Sequence, residues 1–312
     1  MASILSRVVI LGTGGTIAGT AAQAADNVGY SAGQLGVAQL VAAVPALGGV
    51  PLLAEQLAQL DSKDMSPAVW SRLCARTAEL LARPEVAGVV VTHGTDTLEE
   101  TAWCLHRVVA AHKPVVLTAA MRPASSLQAD GPQNLLDAVT LAREPGAAGV
   151  LAVLGGRVHA GADLRKLHNY RIDAFSSGDA GPVALIEEGR VRQLRAWPVA
   201  AARADLPRLP GEAKAWPWVE IVSSHAGADG RVVDLLVEAG VRGLVVAATG
   251  NGTLHADLLP ALQRAQTLGV AVLRSTRCIL GALVPDGGPI EGAGALTPPQ
   301  ARVELMLRLL GR

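Results

Sequence analysis

Short apolar runs recur along this chain at residues 8–11, 88–92, 113–119 and 149–154. Runs of that length, without a polar alternate position, predict strands buried on both faces. Between them apolar residues recur at helical spacing, at 34–44, from Pro67 toward Pro84, after Thr97, and from Asn134 to Ala142. Ser66-Pro67 is a helix start by type, serine at the cap and proline in the first turn. A short strand is expected at 50–53. Strands that alternate with helices predict right-handed crossovers and a doubly wound, mostly parallel sheet.

The pattern changes after about residue 176, where strand-like runs at 183–186 and 191–194 sit among Gly, Pro and Arg. Pro198, Pro207, Pro210 and Pro217 then punctuate an alanine-rich stretch. The expected organisation is a larger N-terminal catalytic α/β domain over 1–190, a linker over 191–216 and a smaller α/β domain over 217–312. In that second domain strands are expected at 218–222, 243–248 and 270–273, and helices at 232–239, 255–268 and 299–310.

Two strand ends carry chemistry. The first strand runs into G-T-G-G-T-I-A-G-T at 12–20. Glycines there permit positive φ and a close backbone approach. The spacing is not G-x-G-x-x-G, and no Gly-Lys-Ser/Thr follows, which excludes the two common phosphate loops. The choice left is between a structural turn and a threonine nucleophile on a glycine platform. Tyr30, 14 residues beyond Thr16 and beside glycines, suits a lid that returns over that platform. The second strand repeats the design, ending in H-G-T-D-T-L-E-E-T at 93–101. Asp96 or Thr97 there either caps the next helix, or belongs to a site at its amino terminus where backbone N–H groups hold an oxyanion.

Composition narrows the function. With 27 basic and 27 acidic residues the formal net charge is zero, so nothing favours nucleic acid or an anionic membrane. Aromatic residues make up only 3%, too few for a base- or sugar-stacking surface. Cys74, Cys104 and Cys278 are too scattered for a disulfide framework or a zinc cluster, and suit a reducing compartment. His159 and His168 lack supporting carboxylates, so no metal is expected. No apolar run reaches membrane-spanning length, and the amino terminus shows no signal-peptide pattern. A cytoplasmic enzyme without a cofactor is the expectation.

These motifs resemble those of the bacterial-type L-asparaginases, the threonine amidohydrolases. The likeness spans nearly the whole chain. It rests on residues 12–20 and 93–102, on L-T-A-A-M-R-P at 117–123 with A-D-G-P-Q-N-L at 129–135, and on T-G-N-G at 249–252 and R-S-T-R at 274–277. The resemblance implies hydrolysis of L-asparagine to L-aspartate and ammonia through an acyl-enzyme. It implies Thr16 and Tyr30 as one catalytic pair, and Thr95, Asp96 and Lys166 as a threonine–lysine–aspartate triad. Ser62 falls where the family holds the substrate's α-carboxylate, and Asn251 where a residue reaches the active site of a neighbouring subunit. A homotetramer or homodimer with sites at the dimer interface follows from the same likeness.

The sequence departs from the family at several points. Lys63 stands where glutamine is frequent, either to pair with the α-carboxylate or to point to solvent. Around D-L-R-K, which carries Lys166, the neighbouring segments are Gly155-Gly156-Arg157 and Leu167-His168-Asn169. The family's late glutamate on the substrate amine has only Glu291 and Asp286 as candidates. Rival readings are a glutaminase or another side-chain amidohydrolase, and an amino-acid-binding protein without catalysis on the same fold.

Overall fold

The computed structural model describes residues 6–198 and 209–311. Residues 1–5 and part of the expected linker, with Pro207, lie outside the described residues. The chain divides into two compact units, Met1–Arg203 and Ala204–Arg312.

In the first unit the chain runs β1 (Arg7–Gly14), α1 (Val37–Ala42), β2 (Leu52–Leu60), α2 (Pro67–Leu81) and β3 (Val86–Thr92). It continues through α3 (Leu98–Val108), β4 (Pro114–Thr118), α4 (Gly131–Ala142) and β5 (Gly149–Leu154). The closing part holds β6 (Arg157–Ala160), β7 (Arg165–Lys166), β8 (Phe175–Ser176), β9 (Ala184–Glu187) and β10 (Arg190–Gln193). Eight of these strands form one sheet in the order β10-β9-β6-β5-β4-β3-β1-β2, with β7 and β8 as a separate small ladder. β2, β1, β3, β4 and β5 are mutually parallel, and β6 and β10 run antiparallel to their neighbours. The mostly parallel α/β architecture read from the sequence is present.

β1 shows why the apolar runs become strands here. Its seven residues after Arg7 are all buried, because β2 and β3 flank it and helices cover the sheet. Val8, Ile10, Val90, Val116 and Leu151 share one buried cluster with Val37 and Leu40 of α1 and Leu135 and Ala138 of α4. α2 and α3 pack on each other and on β3 and β5.

Three boundaries differ from the sequence reading. The strand expected at 50–53 extends to Leu60 as β2, through Ala, Glu, Gln and Leu residues that favour helix. It is an edge strand, half-buried or exposed throughout, that among the described residues pairs only with β1, so tertiary pairing overrides propensity. The helix expected at 34–44 is confined to α1, Val37–Ala42, because Gly36 is its cap and Pro45 follows. Residues 155–166, beyond the apolar run at 149–154, contain two strands. Gly155 and Gly156 take φ 55° and 70°, the paired positive φ of a tight hairpin turn that joins β5 to β6.

The second unit contains β11 (Val219–Ser223), α5 (Arg231–Glu238), β12 (Gly243–Ala248), α6 (Leu259–Thr267), β13 (Ala271–Thr276), β14 (Glu291–Gly292) and α7 (Pro298–Leu310). Its four strands pair in sequence order and in parallel. Val222, Val233, Leu244, Val246, Leu262 and Val272 form its core. α7 opens on a capping box in which Thr297 accepts from the Gln300 amide while the Gln300 side chain accepts from the Thr297 amide.

Candidate active site

The sheet order puts a switch point at β1. The chain leaves β1 for β2 on one side and then returns past it to β3 on the other. Crossovers of opposite sense leave a crevice beyond the carboxyl ends of the two strands at that point. Both threonine-bearing stretches sit there, residues 12–16 at the end of β1 and residues 93–97 after β3.

Backbone contact holds the two loops together. Gly14 and Gly15 take φ 104° and 83°, a conformation that suits only glycine. A Cβ added to Gly15 would lie 2.3 Å from the Gly94 Cα, so no side chain fits between the loops. The Thr13 hydroxyl also donates to the Thr92 carbonyl across the two strand ends at 2.9 Å.

Each loop then presents a hydroxyl with its own partner. Thr16 is buried in a short 3-10 turn, Thr16–Ala18, with its Oγ1 at 2.7 Å from the Tyr30 Oη. Tyr30 comes from a loop whose ends are joined by paired backbone bonds between Thr20 and Ser31. On the second loop, the Lys166 Nζ donates to Thr95 Oγ1 at 2.9 Å and to Asp96 Oδ1 at 2.7 Å. The Lys166 side chain is 19% exposed and that of Asp96 is 56% exposed, so the pair spans from the interior to the crevice mouth. Because the Thr95 oxygen accepts from lysine, its own proton is free to point into the crevice.

Neither Asp96 nor Thr97 caps α3 with its side chain. Thr97 occupies the cap position, but its hydroxyl donates to the Ser62 carbonyl at 2.8 Å. The Ser62 Oγ accepts from the Asp96 amide at 3.2 Å. Ser62 is 2% exposed and is thereby locked to the amino end of α3. Its neighbour Lys63 turns away, with a side chain 65% exposed and its Nζ 2.8 Å from Asp61 Oδ2. The Asp61 carboxylate raises the Lys63 pKa from its ordinary value.

One set of residues beneath the site was not singled out by sequence reasoning. The Trp70 indole N–H donates to Thr101 Oγ1 at 2.9 Å, Thr101 lies 2.9 Å from His93 Nε2, and His93 Nδ1 lies 2.7 Å from the Gly94 carbonyl. A carbonyl only accepts, so the proton is on Nδ1. Complete burial lowers the His93 pKa to about 4, so Nε2 is bare and accepts from the Thr101 hydroxyl. The chain of donors fixes the carbonyl just before Thr95. Its only sequence signal was the histidine opening the motif.

Comparison with known proteins places the chain in a family. The family described as Asparaginase, N-terminal matches residues 7–198, and that described as Glutaminase/Asparaginase C-terminal domain matches residues 218–311. L-asparaginase 2 of Escherichia coli (strain K12) is 37% identical over 314 residues, 98% of this chain and 89% of its own. The glutaminase-asparaginase of Pseudomonas fluorescens biotype A is 35% identical over 315 residues, 98% of this chain and 86% of its own. The chain belongs to the asparaginase family. Among solved structures, the probable cytoplasmic L-asparaginase from Campylobacter jejuni superposes with TM-score 0.89 at 35% identity, over 97% of this chain and 95% of that one.

In this asparaginase-family chain the remaining sequence candidates lie in the second unit and are engaged there. The Asn251 side chain donates to the Val284 carbonyl at 3.0 Å and accepts from the Val284 amide at 2.8 Å. Asp286 forms a two-pronged pair with Arg274, which holds its carboxyl well below the usual carboxylate range. Glu291 pairs with Arg308 at 2.8 Å. Among the described residues no group of three or more His, Cys, Asp and Glu is placed to hold a metal ion. No helix among them is long and apolar enough to cross a membrane.

Proposed function

We propose that this protein hydrolyses the side-chain amide of L-asparagine to L-aspartate and ammonia through a threonine acyl-enzyme. The observation that carries the reading is the pairing of two threonine hydroxyls with two different activating groups at adjoining strand ends, Thr16 with Tyr30 and Thr95 with Lys166. Family membership supports the same reaction class.

In this scheme Thr16 Oγ1 attacks the amide carbon, its proton passing toward Tyr30 as the C–O bond forms. The tetrahedral oxyanion is met by backbone N–H groups of the second loop, each donor worth about 3 kcal/mol in the transition state. The nitrogen takes the Thr16 proton from the Tyr30 side, the C–N bond breaks, and ammonia leaves. Lys166, held by Asp96, works with Thr95 to draw a proton from water as its oxygen adds to the acyl carbon; the C–O bond to Thr16 then breaks, Thr16 Oγ1 takes back a proton, and aspartate leaves. Asp96 also faces the substrate's α-ammonium and Ser62 its α-carboxylate, while Lys63 stays on Asp61 and contributes only positive field. The same reading makes the protein a homotetramer or homodimer to which a neighbouring subunit brings Asn251. It also places the protein in the cytoplasm, supported by the name of the Campylobacter jejuni protein.

A glutaminase activity beside the first is favoured by the Pseudomonas fluorescens relative, named a glutaminase-asparaginase. One methylene separates the two substrates, and pocket size alone discriminates that by about 10–200-fold. Coupled ammonia release from asparagine and from glutamine tests both. Thr16→Ala and Thr95→Val are each expected to abolish turnover of either amide in a folded protein. Substantial activity in either variant overturns the scheme.

A further inference from the structure

Lys166 hangs from a weak element. β7 is two residues long and pairs with the two residues of β8, the Leu167 N–H adding one bond to the Ala174 carbonyl at 2.7 Å. Leu167, His168, Asn169 and Tyr170 beyond it are exposed. A strand that short does not by itself hold a lysine tip within hydrogen-bond distance of a chosen hydroxyl.

What steadies it comes from α3. The Lys166 backbone N–H donates to Glu99 Oε2 at 3.2 Å, across 67 positions of sequence. Glu99 lies in the first turn of α3 and is half-buried. Asp96 lies just before the Thr97 cap of the same helix. Asp96 takes the ammonium of Lys166 and Glu99 takes its amide. The lysine is therefore held at both ends by the helix whose amino end carries Thr95.

We propose that Glu99 is a positioning residue, which sets the reach of Lys166 to Thr95 by accepting the Lys166 backbone N–H. This rests on the proposed threonine–lysine chemistry. Glu99 is not among the residues placed on the substrate or the reacting atoms, and the role assigned to it is that of an acceptor oxygen for the Lys166 N–H. A glutamine at the same position keeps such an oxygen.

Steady-state ammonia release by full-length Glu99→Ala and Glu99→Gln tests the proposal, with Thr95→Val as reference. Glu99→Ala is expected to lose kcat by about tenfold or more at nearly unchanged KM, since small misplacements of a catalytic group cost up to about 10²-fold. Glu99→Gln is expected to recover kcat to within about threefold of the parent, the modest cost of a neutral acceptor. A Glu99→Ala protein with parental kcat overturns the proposal. So does a Glu99→Gln protein as impaired as Glu99→Ala, which would assign the effect to charge. If Glu99→Ala fails to fold, the Glu99→Gln kcat decides alone by the same threshold. A fully active Thr95→Val protein instead sinks the underlying chemistry, leaving the two failures distinct.

Discussion

Gly15 and Gly94 touch backbone to backbone, and that contact sets how far apart the two threonine loops stand. A Cβ on Gly15 would lie 2.3 Å from the Gly94 Cα, and one on Gly94 would lie 2.4 Å from the Ser62 Oγ. Gly15 also sits at φ 83°. Gly15→Ala is therefore expected to cost about 2–4 kcal/mol, combining backbone strain with overpacking, and to abolish ammonia release. Gly94 does not carry a positive φ, so Gly94→Ala isolates the steric part. It is expected to displace Ser62 and raise KM for asparagine. Urea unfolding and steady-state kinetics on both variants check this, and a fully active Gly15→Ala protein contradicts it.

The 2.7 Å contact between Thr16 and Tyr30 makes a second expectation. Tyr30→Phe removes one oxygen and leaves the ring that fills the space beside Gly19. kcat is expected to fall by about 10²-fold, the usual scale for a lost proton-transfer partner. The thermal midpoint stays near that of the parent, because a part-buried hydroxyl pair contributes only about 1 kcal/mol. Equal turnover by Tyr30→Phe removes the tyrosine from the scheme.

These residues also show how far the sequence could be read. The apolar runs that became β1, β3, β4 and β5 are buried on both faces, so their composition alone announces them. β2 announces only its start, within 50–53, because the rest of this edge strand carries Ala, Glu and Gln, which favour helix. Thr16 and Thr95 were legible because each follows a buried strand directly. Glu99, and the Trp70–Thr101–His93 chain beneath Gly94, were not. Their partners stand far away in sequence or, like the Gly94 carbonyl, belong to the backbone, and no residue pattern encodes a backbone acceptor.

Asn251 illustrates the same limit. Its amide is matched donor to acceptor with the backbone of Val284, at 3.0 and 2.8 Å. Asn251→Asp keeps the acceptor but sets a carboxylate oxygen against the Val284 carbonyl, whereas Asn251→Ala removes both bonds. Both are expected to speed hydrogen exchange of the Val284 amide by about tenfold, the rate equivalent of roughly 1.4 kcal/mol of local opening. Unchanged exchange in Asn251→Ala means that the bonds do not hold this loop in solution.

Lys63 is paired with Asp61 in solvent, a geometry that contributes little. Lys63→Gln is expected to leave KM for asparagine within about twofold of the parent at physiological salt, where exposed charges are screened. A several-fold rise in KM that grows at low salt would instead put the ammonium on the substrate carboxylate.

The last expectation concerns acid. Burial lowers the pKa of His93 to about 4, and burial aided by Arg157 and Arg195 lowers that of His159 to about 4. In an unfolded chain a histidine titrates near about 6.5. The unfolded state therefore binds protons first as pH falls, and the native state loses stability from about 6.5 downward until the folded pKa is reached. Each histidine accounts for on the order of 3 kcal/mol across that window. Asp130 and Asp137 work in the opposite sense, because burial raises their folded pKa and the native state gains from their protonation. Urea unfolding at pH 7 and pH 5 is expected to show the loss. His159→Gln is expected to flatten it by about half, its amide keeping a partner for the Ser177 hydroxyl that lies 2.8 Å from the His159 Nδ1. Equal slopes in parent and variant would mean that His159 is charged in the folded protein.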